Sequence, residues 1–123
     1  MAKGKQKHQA RLDAINLLGK DLARRAGRAC ELCSSRDDCR THDLEPDKKP
    51  ELDHLLLLCG ACRDLVDRPG QRPADHMRFV ANHCWSDVRP VQRIVQQLLA
   101  PLTEDWAREA LEHLAMMQQS QSS

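Results

Sequence analysis

At 123 residues the chain is at most one ordinary domain, or two very small ones. One Phe, two Trp and no Tyr exclude a core built on large rings and leave a thin aliphatic one, the kind a metal crosslink reinforces. The net charge of +1 hides an asymmetry. Residues 1–28 hold eight Lys/Arg against two Asp, a balance of +6, and the other 95 residues hold eleven Lys/Arg against sixteen Asp/Glu, a balance of −5.

Met1 to His8 (MAKGKQKH) is polar, basic and glycine-containing, a composition that favours disorder. Leu12, Ile15, Leu18 and Leu22 then recur at helical spacing, and Gly27 suits the stop. Lys3, Lys5, Lys7, Arg11, Arg24, Arg25 and Arg28 make this arm a candidate nucleic-acid-binding segment. The plainer reading of such a charge run is a solvated tail and helix face. No apolar stretch approaches the roughly 20 residues of a membrane span, and the basic N-terminus lacks the apolar core of a signal peptide. The expected compartment is therefore the reducing cytoplasm, where paired cysteines hold metal rather than disulfides.

Cys30, Cys33, Cys59 and Cys62 form two C-x-x-C pairs, CELC and CGAC, 25 residues apart. Each pair delivers two thiolates from one short turn, and two pairs complete a closed all-thiolate shell. The expected cofactor is one structural zinc ion, with no coordination position left to activate water. Between the pairs, Cys39 to Leu44 and Leu52 to Leu58 are strand candidates, and Glu45 to Glu51, with two prolines and five charges, is a loop. Cys62 to Asp67 opens a short helix. Arg28, Arg36, Arg40 and Arg63 lie near the cysteines in sequence and are candidates to offset the charge of a tetrathiolate site. Cys39 is expected as a reduced, partly buried thiol.

Arg68 to Pro73 (RPGQRP) is the clearest linker, because Pro69, Gly70 and Pro73 do not fit one regular element. A helical region follows. Ala74 to His83 suggests a short helix. Ser86 or Asp87 can cap the next, with Pro90 in its first turn and Val88, Val91, Ile94, Val95, Leu98 and Leu99 on its apolar face. Thr103 can cap the last helix, whose stripe is Trp106, Ala110, Leu111, Leu114 and Met117. Trp85 and Trp106 are expected as core anchors, and His83 and Cys84 as packing residues.

The fold expected is α+β. Residues 1–27 form a basic tail and N-terminal helix, 28–67 a zinc-bound β module of treble-clef or zinc-ribbon type, 68–73 a linker, 74–117 a helical region and 118–123 a disordered tail.

CELC, LDHLLLLCGAC and the stretch DHMRFVANHCWSDVRPVQRIVQQLL together resemble the PhnA family, named for an alkylphosphonate-uptake operon. The most specific part is His76 and Arg78, then Trp85, Ser86, Asp87, Val88, Val91 and Gln92. Met77 stands where the family usually has an aromatic. The resemblance spans about residues 28–112 and implies a zinc-ribbon-like module, without settling a biochemical role.

CELC, THDLEP and PELDHLLLLCGACRD also resemble zinc-stabilised HNH endonucleases. Asp43 stands at the general-base position, His54 where an Asn belongs and Arg63 where a metal-binding His belongs. All three depart from what phosphodiester hydrolysis needs. The function expected is a non-catalytic, zinc-stabilised interaction module with another protein or nucleic acid as partner. The alternatives are a nucleic-acid binder using the basic arm and a degenerate HNH-type metal-dependent nuclease.

Overall fold

The computed structural model describes the backbone of residues 2–122 and the side chains of residues 8–121. Five helices and one two-stranded sheet make an α+β protein. Helix α1 (Ala2–Ala26) leads to a turn carrying Cys30 and Cys33. Strands β1 (Arg40–Asp43) and β2 (Leu55–Leu58) follow, then α2 (Gly60–Asp67), α3 (Arg78–Ala81), α4 (Arg89–Leu99) and α5 (Asp105–Ser122).

Helix α1 begins at Ala2 rather than after His8, so the expected disorder is not what the structure describes. Ala, Lys and Gln are good helix formers and the segment has no proline to stop it. The helix ends at Gly27 (φ +65°), where the left-handed turn continues through Arg28 (φ +59°). The Arg28 N–H closes on the Ala23 carbonyl at 2.9 Å. The apolar stripe buries unevenly: Leu22 is in the core, Ile15 and Leu18 are half-buried, and Leu12 is exposed. Burial thus rises along the stripe from Leu12 to Leu22, toward the end of α1 at which Arg25 bonds the Leu55 carbonyl of β2.

β1 pairs antiparallel with β2 in the register Arg40 with Leu58 through Asp43 with Leu55. The second strand is shorter than the sequence suggests, because Leu52–His54 turn as a 3-10 segment first. Leu55, Leu56 and Leu58 are fully buried. Both faces of β2 are covered, so it is a continuous apolar run rather than an alternating one.

The helical region closes over this hairpin. Val91, Ile94, Val95, Leu98 and Leu99 of α4 meet Ala107, Ala110 and Leu114 of α5 in one continuous cluster that also holds Cys30, Cys59 and Cys62. The RPGQRP segment, turning as a 3-10 segment at Pro69–Gln71, thus joins two parts of a single core. The N-cap of α4 is Val88 rather than Ser86 or Asp87, and Pro90 lies in its first turn. The Ser86 hydroxyl instead accepts the Val88 N–H at 3.1 Å. Nor does the C-terminus fray at residue 118. Gln92, 3% exposed, donates from Nε2 to the Ser86 carbonyl and to Gln121 Oε1, each at 2.8 Å. Gln121 donates onward to the Asp87 carbonyl at 3.0 Å. That chain of amides extends α5 over a position expected to be a disordered tail. Trp106 packs half-buried against the core. Trp85 is 56% exposed and stacks on His113 with ring centroids 4.4 Å apart, so it is not a core anchor.

Candidate metal centre

Two turns from distant parts of the sequence meet at one point. The first pair lies in a tight loop: the Ser34 N–H reaches the Cys30 carbonyl at 2.9 Å and the Cys30 N–H reaches the Ser35 carbonyl at 2.8 Å. Ser34 adopts φ +67°, the left-handed bend that turns Cys33 back toward Cys30. The Glu31 N–H, between them, bonds the Leu57 carbonyl at 2.9 Å and so fastens this loop to β2. The second pair follows directly from β2. Cys59 is the N-cap of α2, and its sulfur accepts the Cys62 N–H at 3.4 Å. A helix N-terminus offers N–H groups and positive potential to a thiolate.

The ligand atoms of Cys30, Cys33, Cys59 and Cys62 all lie within 4.8 Å of one another, and the Cys33 and Cys59 sulfurs are 3.4 Å apart. Four sulfurs about 2.3 Å from one central ion stand roughly 3.8 Å apart in a tetrahedron. The cluster is therefore dimensioned to hold one metal ion. Cys30, Cys59 and Cys62 are each 3% exposed, whereas Cys33 is on the surface. Without an ion, Cys30 and Cys62 bear on each other's protonation in opposite directions. The hydrogen bond from Cys62 pulls Cys30 down from its ordinary value, and the same bond, reinforced by burial, pushes Cys62 up. A cation at the centre would replace the thiol protons and favour all four thiolates.

Two of the four arginines near the cysteines in sequence, Arg40 and Arg63, are engaged with Asp38. Arg63 donates to the Asp38 carbonyl at 2.6 Å, the Leu58 carbonyl at 2.8 Å and Asp38 Oδ2 at 2.8 Å. Arg40 also pairs with Asp38, and the two cations hold the Asp38 carboxyl below its usual range, Arg63 most strongly. This network closes the loop between the first cysteine pair and β1. Gly60 belongs to it by its lack of a side chain, since a Cβ there would meet Asp38 Oδ2 at 3.1 Å.

Two of the basic-arm candidates are internal clamps. The Arg25 side chain is 17% exposed and its partner Glu31 only 5%. Arg25 grips Glu31 through Nε at 2.8 Å and a terminal nitrogen at 3.0 Å, and reaches the Leu52 and Leu55 carbonyls at 3.0 and 2.6 Å. Glu31 also accepts the Leu57 N–H at 2.9 Å. Arg11 pairs with Asp43 and donates to the Glu45 and Lys48 carbonyls. Arg24 and Arg28 are exposed, while the side chains of Lys3, Lys5 and Lys7 lie outside the described residues.

The HNH-like positions lie outside the cluster. The Asp43 carboxylate is occupied by Arg11, and burial holds its neighbour on β1, His42, below its ordinary value. His54 approaches Glu51 at 3.8 Å. Among the described residues, the four cysteines are the one cluster of three or more ligands that could hold an ion. Cys39 is outside it and donates to the Ser35 carbonyl at 3.1 Å. Burial pushes the Cys84 thiol up, so its 3.9 Å approach to His113 Nδ1 does not yield an activated nucleophile. His83 Nε2 meets the Leu32 carbonyl at 2.6 Å and ties the helical half to the first cysteine loop. Sequence reasoning missed the Arg11, Arg25 and His83 tethers. Each joins residues distant in sequence or acts through backbone carbonyls, which leave no mark on residue type. No protein-family model, curated protein or solved structure matches this chain.

Proposed function

We propose that the chain is a small zinc-binding protein of the PhnA type, in which the ion is structural and the protein works as an interaction module rather than an enzyme. The observation that carries this reading is the convergence of four thiols, three of them buried, on one point. An all-thiolate set suits zinc, which has no preferred geometry to violate and takes a closed tetrahedron. With every coordination position filled by sulfur, the ion has none to offer a substrate. The order of the parts, with a cysteine loop, a hairpin and a second pair at a helix N-terminus, supports the treble-clef form over the ribbon. No helix among the described residues is long and apolar enough to cross a membrane, and the free thiols accord with the reducing cytoplasm.

The nuclease alternative gains nothing from the arrangement. Asp43 at the base position is neutralised by Arg11, and Arg63 at the metal-ligand position is engaged with Asp38.

Metal analysis of the purified chain by mass spectrometry tests the proposal. One zinc per chain, lost on Cys62→Ser, is the expected result. No bound zinc, or knuckles joined as disulfides, would overturn it. Mg²⁺- or Mn²⁺-dependent nicking of plasmid DNA, abolished by Asp43→Ala and His54→Ala, would overturn the non-catalytic part.

A further inference from the structure

With Arg11 and Arg25 committed to internal contacts, the cations left on the outer face of α1 form an ordered row. Lys20, Arg24 and Arg28 follow at four-residue intervals and all are exposed. Lys20 and Arg24 lie about 6 Å apart along the helix axis at 1.5 Å per residue, and Arg28 follows on the left-handed turn beyond Ala26. Gly19, Ala23 and Gly27 lie beside them, and the row and the small residues line a groove of about 690 Å³. The nearest acid is Asp21, 3.9 Å from Arg24 with both side chains more than half exposed, a contact of little energetic weight. Among the described residues, neither Lys20 nor Arg28 has an ion-pair partner.

We propose that this ridge binds the phosphate backbone of a duplex nucleic acid, without reading its sequence. The inference deepens the interaction-module reading by naming a partner, and does not depend on which metal the cysteines hold. Two observations select that occupant. The ridge offers three exposed cations with small side chains beside them, so a sugar-phosphate backbone can approach the helix closely. Helix α1 contains no Phe, Trp or Tyr, which removes the stacking platform that single-stranded binding uses. An acidic peptide would have to be ordered to match the row, whereas a duplex presents an unbroken line of phosphates.

The test uses the full chain and a labelled duplex DNA of about 20 base pairs, with anisotropy read between about 50 and 200 mM salt. Three phosphate contacts contribute about −2.7 to the slope of log affinity against log salt, a loss of roughly 40-fold over that fourfold range. The variant Lys20→Gln/Arg24→Gln/Arg28→Gln should lose that share of the slope, and a second duplex of unrelated sequence should bind the native chain equally well. Equal slopes for native and variant chains, no duplex binding at about 50 mM salt, or capture of labelled polyglutamate but not duplex would each overturn the proposal. Acetylation of lysines in the native chain gives a reading independent of the variant's folding. Duplex should protect Lys20 and leave exposed Lys48 and Lys49 reactive; an unprotected Lys20 would equally overturn it. Zinc content measured on the same sample separates failure here from failure of the metal assignment.

Discussion

Replacing Glu31 by Ala is the most informative single perturbation, because Glu31 joins three parts of the molecule. Its carboxylate takes two hydrogen bonds from Arg25 of α1 and one from the Leu57 N–H of β2, while its own backbone belongs to the first cysteine pair. With side-chain exposures of 5% and 17%, the pair is largely shielded from water. Removing the acid alone leaves a shielded guanidinium with only the Leu52 and Leu55 carbonyls and no counter-charge, and leaves a strand N–H without its acceptor. Breaking a buried pair from one side costs about 3–5 kcal/mol. At about 2.1 cal/mol/K per residue, a chain of 123 residues has an unfolding entropy of about 0.26 kcal/mol/K, so Tm should fall by roughly 12–19 °C. Circular dichroism melts in metal-replete buffer measure this directly. Adding Arg25→Leu to the Glu31→Ala variant should restore part of the loss, since no buried cation then remains. The recovery stays incomplete because the Leu52 and Leu55 carbonyls lose a donor. A Tm shift under about 4 °C for Glu31→Ala, equivalent to about 1 kcal/mol, would refute the clamp.

Stripping the metal with excess chelator should open the hairpin, α4 and α5 together; hydrogen exchange showing α4 and α5 still protected would contradict this. Stability at saturating metal should decline as pH falls below 6.5, the ordinary value of His42, toward its lower folded value. Burial depresses that value, so the unfolded chain takes up the proton first and the contribution is complete only above 6.5. Denaturant titrations of native protein and His42→Gln across that window should show a shallower decline in the variant, and parallel curves would rule out the histidine. Gln92→Leu should cost about 1–3 kcal/mol by depriving buried polar partners of a donor. It should also speed amide exchange near Gln121, and unchanged exchange there would show that the amide chain does not hold the end of α5.

The four-cysteine cluster was legible because the chemistry of metal ligation fixes its spacing. Two thiolates from one turn require C-x-x-C, and the sequence shows that pattern twice. The helices were legible for a related reason, since Val91, Ile94, Val95, Leu98 and Leu99 repeat with the period of the surface they bury. Charge was less transparent. Arg24 and Arg25 are adjacent and identical in type, yet one faces solvent and the other closes on Glu31 across 17%-exposed surface. Only the path of the chain, which brings the CELC loop and β2 beneath α1, distinguishes them. Trp85 misled because size suggests burial, whereas a ring with His113 to stack on can remain at the surface. Polar ends such as MAKGKQKH and QQSQSS have the composition of disordered tails. Composition does not report Gln121, whose two amide contacts are made to residues 29 and 34 positions away.

The position of the cysteine cluster would give a bound ion more leverage than a peripheral staple has. Cys30, Cys59 and Cys62 belong to the same apolar cluster as Met77, Val80, Val91 and Leu114, so the centre is one wall of the core itself. A core with one Phe and two Trp, one of them largely outside, has little surplus apolar area to absorb the loss of that wall. Four sulfurs this close together favour one shared cation over separate protons, and an ion bound there would hold the first cysteine loop in place. Through Glu31 and the Leu32 carbonyl, that loop fastens both α1 and the helical half. The bearing of α1 on the body, and with it the direction in which Lys20, Arg24 and Arg28 face, would thus depend on an ion that touches none of them.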